Sequence, residues 1–300
     1  MTGQPILLVG CQGQVGWELA RTLAPLAPVV ALARADLDLA QPQSIRDAVR
    51  AVRPRLIVNA AAYTQVDAAE ADAAAAEAAN AAAPAVLADE AKRVGAALVH
   101  YSTDYVFDGS GRRPYREDDP VAPVNAYGRS KLAGEEAIRA SGVRHLIFRT
   151  AWVYADRGRN FLKTIQRLAA ERDELRVVAD QRGAPTWARL IAEATALVLA
   201  ATRHGERWDA LGAGPGDPGG IYHLTCGGET TWHGFAEAIV ALGPPRDGGA
   251  RAGVVPIPTQ EYPTPAKRPA YSVLDNSRLA ARFGLRLPDW QEGLRLCLTG

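Results

Sequence analysis

Tyr127 and Lys131 stand four residues apart in "VNAYGRSKLAGEE", residues 124–136, where a polar loop turns helical. At that spacing both side chains lie on one helix face, one turn apart. Two readings are open: a solvated pair at a helix start, or a proton donor with a cation beside it. A carbonyl that receives hydride becomes an alkoxide and needs both a proton and charge stabilisation. Tyrosine, with an ordinary pKa of about 10, holds its proton at neutral pH yet yields it reluctantly. A nearby ammonium favours phenolate and brings that pKa toward working pH.

The second stretch with chemical potential is "LLVGCQGQVGWELA", where Gly10, Gly13 and Gly16 follow an apolar run and open a helix. Bare backbone can approach a pyrophosphate there, and a helix N-terminus supplies free N–H groups and positive dipole. The spacing is GxxGxxG rather than GxGxxG, and a tight turn needing glycine is the plain alternative. Downstream, "ALARADLDLA" carries Arg34 at a strand end, with Asp38 just beyond. An arginine at that place suits the 2′-phosphate of NADP, whose oxygens match its fork; a surface charge is the alternative. NADPH is the expected cofactor, with Asp38 leaving NADH usable. In "ALVHYSTDYVFDG", Ser102, Thr103 and Asp104 come at a strand's carboxyl end, the edge where open α/β sheets bind ligands. A hydroxyl there can bind a substrate carbonyl or close a local turn.

These residues need elements to hold them. Apolar runs ("PILLVG", "PVVALAR", "RLIVNAA", "AALVHYSTD", "HLIFRTAWVY") alternate with helical stretches. Short, continuously apolar strands between helices imply a parallel sheet covered on both faces, a doubly wound Rossmann-type α/β fold. The alanine-rich run beginning at Asp67 reads as one helix, with Asp67 and Glu70 in capping-box order. Residues 1–155 are expected to form the dinucleotide-binding domain, with elements near 187–203 and 220–226 returning to it. Residues 156–300 are expected to form mainly a smaller, discontinuous substrate lobe, broken by loops such as "GAGPGDPGG" and "GPPRDGGARAG".

Composition narrows the classes. The chain has 300 residues, 48 % hydrophobic and 22 % charged, with a net charge of +1. No basic run suggests a nucleic-acid partner, and no apolar run is long enough to span a bilayer. The N-terminal stretch lacks a signal peptide's basic flank, and Cys11, Cys226 and Cys297 are too scattered for a disulfide framework. A reducing cytoplasm is expected.

In order and spacing, the glycine loop, "NAAAYTQVDAAE", "STDYVFDG", "NAYGRSKLAGE" and "FRTAWVY" resemble the extended short-chain dehydrogenase/reductases. Within that superfamily, "GQVGWEL", "VNAAAYTQVD", "DQRGAPT" and "YPTPAKRPAYSVLD" resemble the dTDP-4-dehydrorhamnose reductases, over nearly the whole chain. The resemblance implies reduction of the C4 ketone of dTDP-4-dehydro-L-rhamnose by a nicotinamide hydride. The product, dTDP-L-rhamnose, is a donor for cell-surface polysaccharide. It also implies Tyr127 as general acid, Lys131 on the nicotinamide ribose lowering the tyrosine pKa, and Thr103 on the substrate, with Asp104 in support. Gln14, Val15, Leu39 and the run Ala60, Ala61, Ala62 and Tyr63 fall where the cofactor passes. Val66 and Trp152 are placed against the deoxysugar, Asn160 and Arg268 on the nucleotide diphosphate; core packing is Trp152's alternative. Some relatives bridge two subunits through magnesium held by glutamates. Here Glu18 is present, but the other positions are Arg189 and Gln291, poor company for a hard cation. No catalytic metal is expected, and a monomer or weak homodimer is. Two alternatives stand: another nucleotide-sugar 4-ketoreductase, or a regulatory subunit that binds NADP without turnover.

Overall fold

The computed structural model describes residues 4–205, 208–209, 211–212, 217, 219–246 and 249–299. Most of the expected loop over 212–220, and part of that over 243–253, therefore lie outside the described residues.

The first half alternates as its apolar runs dictate: β1 (Ile6–Val9), α1 (Gln14–Thr22), β2 (Val29–Leu32), α2 (Pro42–Val52) and β3 (Leu56–Asn59). The alanine-rich run follows as α3 (Ala68–Ala71), α4 (Ala73–Glu77), a π-helical turn (Ala78–Ala82) and α5 (Ala83–Val94). Then come β4 (Ala97–Thr103), a 3-10 turn (Asp104–Val106), α6 (Ala126–Ser141) and β5 (His145–Thr150). After them lie β6 (Val153–Tyr154), α7 (Phe161–Glu171), β7 (Glu174–Val178), β8 (Arg182–Gly183), β9 (Thr186–Trp187) and α8 (Ala188–Ala201). The chain ends with β10 (Gly220–His223), β11 (Thr230–Thr231), α9 (Trp232–Leu242), β12 (Gly253–Ile257), α10 (Ser277–Phe283) and α11 (Trp290–Thr299).

Six parallel strands run in the order β10-β5-β4-β3-β1-β2. The expected doubly wound fold is what forms. Its central strands are buried end to end, as continuous apolar runs require. Leu7, Ile57, Leu98 and Ile147 pack with residues of α2 and α5 on one face. Ile6, Leu56, Val99 and Phe148 pack with α1 and α8 on the other. A separate core gathers Leu162, Leu175, Phe235, Trp290 and Leu294 from the later elements.

Two sequence readings need correction. The alanine-rich run is not one helix with a capping box. Asp72 caps α4 by accepting from the Ala75 amide at 3.1 Å, and neither Asp67 nor Glu70 caps the first turn. Tertiary partners claim them instead. Asp67 binds Arg268, and Glu70 accepts from the Ala126 amide at 2.7 Å, which fixes the start of α6. "HLIFRTAWVY" likewise divides into β5 and β6, because Trp152 has φ 47°, a left-handed backbone that ends a strand.

Candidate active site

Strand order reverses between β1 and β3, and a cleft of about 750 Å³ opens at their carboxyl ends. That is where an open α/β sheet holds a ligand. The glycine loop forms its floor. Gly10 has φ +84°, and a Cβ there would meet the Ala61 backbone nitrogen at 2.7 Å. A Cβ on Gly16 would drive into the Gly10 carbonyl. The two glycines let β1, α1 and the Ala60–Ala62 strand end close together, leaving a bare backbone cradle. Val15, Leu39, Tyr63 and Gln14 line the same cleft. Arg34 stands at its mouth, 87 % exposed and 3.8 Å from Asp38. Asp38 is partly committed, its carboxylate accepting from the Ala40 amide at 3.0 Å.

The opposite wall is α6. Asn125 caps it through the Gly128 amide at 2.7 Å and ties it to the Lys267 carbonyl at 2.8 Å. Gly128 lets α6 approach the Tyr105 carbonyl, and Gly134 lets it approach that of Asn80. This close packing delivers both Tyr127 and Lys131 to the cleft. Asn80, in the π turn, accepts from the Tyr63 amide at 2.9 Å and donates to Ser130 Oγ at 3.0 Å. One buried amide thus locks the cofactor-side loop to the helix carrying the tyrosine.

Desolvation pushes the Tyr127 phenol up to about 12; the Thr103 hydroxyl partly offsets this and Asp104 adds to it. The expected downward pull of Lys131 is not what the protein's own groups produce. Its Nζ donates to the Tyr101 carbonyl at 2.6 Å and lies 3.1 Å from His100 Nε2. Burial brings Lys131 itself down to about 8, against the pull of Glu135. Thr103 Oγ1 donates to Asp104 Oδ1 at 3.0 Å, and burial raises that carboxyl to about 7, with Ser272 and Thr103 opposing. Ser102 and Thr150 line the cleft with buried hydroxyls that have no hydrogen-bond partner among the described residues. Paired polar cradles and unsatisfied donors of this kind fit a dinucleotide.

A family model described as "RmlD substrate binding domain" matches residues 4–300. A dTDP-4-dehydrorhamnose reductase of Burkholderia thailandensis is 56 % identical to the chain, covering 98 % of it and 97 % of the relative. The chain belongs to the dTDP-4-dehydrorhamnose reductase family. Among solved structures, a dTDP-4-dehydrorhamnose reductase from Clostridium acetobutylicum matches with a TM-score of 0.88, 37 % identity and 98 % of each chain covered. One from Bacillus anthracis, in complex with NADP, matches at 0.86, with 33 % identity and 99 % of each chain covered.

The remaining residues expected from the family resemblance do not share that cleft. Arg268 lines a second cavity of about 490 Å³, with Phe161, Arg172, Arg176 and Trp232. It is held there by Asp67 at 2.7 Å. Trp152 stacks on Trp232, ring centroids 3.5 Å apart and 5° from parallel. Asn160 is spent on structure: it caps α7 through the Lys163 amide at 3.0 Å and donates to Gln14 Oε1 at 2.7 Å. Gln14 thereby joins the glycine loop to the later half of the chain. Val66 sits in the turn before α3. Of the three positions aligned with a metal bridge, Arg189 is paired to Glu193 at 2.9 Å. Among the described residues, no group of three or more His, Cys, Asp or Glu side chains could hold a metal ion, and no helix is long and apolar enough to cross a membrane.

Sequence reasoning missed Asn59, Asn80, His100, Thr150 and Arg159. Arg159 lines the cleft from a glycine-flanked loop, and only folding brings it to the glycine cradle. A polar residue inside a continuously apolar strand, as in "LVH" and "IVN", was the signal available for His100 and Asn59.

Proposed function

We propose that the chain is an NADPH-dependent reductase of the C4 ketone of dTDP-4-dehydro-L-rhamnose, yielding dTDP-L-rhamnose for cell-surface polysaccharide. The observation that carries this reading is Tyr127 and Lys131 on one turn of α6, facing the glycine cradle across the cleft at the sheet's switch point. Bound along that cleft, NADPH supplies the hydride for C4. Gly10, Gly13 and Gly16 give its pyrophosphate room and backbone N–H groups, with Val15 and Gln14 alongside. Arg34 takes the 2′-phosphate, and Leu39 and Ala60–Tyr63 flank the rest of the dinucleotide. Lys131 reaches the ribose.

Tyr127 donates the proton that the forming C4 alkoxide needs, and Thr103 orients the substrate oxygen, with Asp104 behind it. The phenol's raised pKa keeps it protonated, while a cation brought near it favours the phenolate left after transfer. The nucleotide diphosphate belongs by the second cavity, where Arg268 supplies positive charge; Trp152 and Val66 flank the sugar, and Asn160 acts by holding Gln14. The enzyme works in the cytoplasm as a monomer or weak homodimer without a magnesium bridge, a reading supported by Arg189 being already paired with Glu193. Incubating the protein with NADPH and the dTDP-4-keto sugar, followed by NMR of the product, tests the reaction. Nucleotide-linked rhamnose is the expected product. NADPH binding without oxidation would instead indicate a regulatory subunit, and inverted C4 configuration a different ketoreductase.

A further inference from the structure

Beneath Lys131 lies a buried polar pair that the proposed reaction does not use. The parallel register of β3 and β4 sets Asn59 beside His100, both 1 % exposed. Asn59 Nδ2 lies 3.1 Å from His100 Nδ1, and His100 Nε2 lies 3.1 Å from Lys131 Nζ. The far end of the chain is anchored, because Asn59 Oδ1 accepts from the Ala61 backbone amide at 3.2 Å.

That anchor has a consequence for every proton along the line. A backbone N–H cannot become an acceptor, so the Asn59 carbonyl must face Ala61 and its NH₂ must face the ring. His100 Nδ1 then accepts, and the neutral imidazole carries its hydrogen on Nε2, pointing at Lys131. A hydrogen bond there requires a lone pair on Nζ, which only the neutral amine has. An ammonium requires Nε2 to be bare and Nδ1 to hold the hydrogen, which sets donor against donor at Asn59 or forces its amide to abandon Ala61.

We infer that His100, its tautomer set by Asn59, is a positioning residue that holds the Lys131 amine at the cleft and governs whether it carries a proton. The inference deepens the reductase reading, and its role in turnover rests on that reading. Burial acts in the same direction on both groups, holding His100 well below its ordinary value and Lys131 at about 8. The other charged group facing Lys131 from its own helix is Glu135, which Arg149 of β5 occupies at 2.7 Å. From the π turn comes neutral Asn80, bound to Ser130, and Asp104 acts on Tyr127. His100 is therefore the titratable contact on the amine itself.

The chain has only four lysines and five histidines, so each can be followed by NMR. Protein labelled with ¹³Cε-lysine and ¹⁵N-histidine is titrated without cofactor, Lys131 being assigned from Lys131→Arg. In wild type, Lys131 should titrate below the other lysines, and above its midpoint His100 should be the neutral Nε2–H tautomer. Asn59→Asp places an acceptor against Nδ1, reverses the tautomer, and should raise the Lys131 midpoint by roughly one unit or more. His100→Gln should also raise it, and the alkaline limb of kcat/KM should move with the midpoint in each variant. A wild-type Nδ1–H tautomer above the Lys131 midpoint, or a Lys131 midpoint unmoved in Asn59→Asp, would overturn the inference even if His100→Gln failed to fold. Since the titration needs no substrate, loss of the reductase reading would appear separately, as absent turnover in wild type.

Discussion

The proposed chemistry turns on Tyr127. Tyr127→Phe keeps the ring and the helix but removes the proton, so turnover should fall by about 10²–10⁴ with NADPH affinity little changed. Retention of more than about a tenth of wild-type turnover, by steady-state assay, would remove the tyrosine as the acid. Lys131→Met should weaken NADPH binding and, with it, turnover, because the proposed role of its ammonium is on the nicotinamide ribose; a titration that found binding intact would remove that role. Arg34 is the proposed selector of the cofactor. Its side chain is 87 % exposed and, among the described residues, ion-paired with Asp38, which leaves it available to a phosphate. A charge-assisted contact of that kind amounts to about 1.5–3 kcal/mol, or roughly ten- to a hundredfold. Arg34→Ala should cost that factor for NADPH and spare NADH, as read from paired specificity constants.

Elements matter here through how closely they approach one another. Alanine is ordinarily the better helix former, by about 1 kcal/mol over glycine. At Gly16 that advantage reverses, because the added Cβ meets the Gly10 carbonyl, a backbone atom that cannot swing aside. Gly16→Ala should therefore lower the melting temperature and weaken NADPH binding at least about tenfold by opening the cradle. A variant with unchanged melting and affinity would mean that the loop is not the phosphate site. The π turn is the other telling element. It widens the helix by one residue per turn, and Asn80 uses that place to bond Tyr63 and Ser130 together.

For the whole molecule, buried titratable groups set an acid limit to stability. Burial holds His100, His145 and His223 below their ordinary value, His223 down to about 3. An unfolded chain takes up those protons at about pH 6.5 and the folded chain refuses them, so stability is lost as pH falls below that value. Asp104, raised by burial to about 7, opposes this between about pH 4 and 7, and Glu117, also raised by burial, acts in the same sense, since the fold keeps protons that the unfolded chain releases. Three imidazoles outweigh two carboxyls. Thermal melting from about pH 7.5 down to 5 should show a midpoint falling by a few degrees per unit, about 1.4 kcal/mol for each net proton. His223→Gln should flatten that slope, and a midpoint independent of pH would contradict the account.

Local chemistry determined much of this protein before any folding was considered. Continuous apolar strands between helices can only be covered on both faces, which makes the sheet parallel and puts its ligand edge at the strands' carboxyl ends. Gly10, Gly13, Gly16, Arg34, Tyr127 and Lys131 could be proposed from the sequence because the types and spacing that suggest their chemistry lie within one turn or one loop. Tertiary structure decided what depends on partners distant in the chain. Asp67 and Glu70 look like a cap in sequence, yet Arg268 and the Ala126 amide outcompete the local backbone for them. Asn160, 146 residues from Gln14, reads as a ligand donor until folding spends its amide on Gln14 and on its own helix. The environment of Lys131 belongs to the same class. No spacing along the chain foretells that two strands, paired in register, set Asn59 and His100 beneath it, because hydrogen bonds and desolvation arise only when those strands meet.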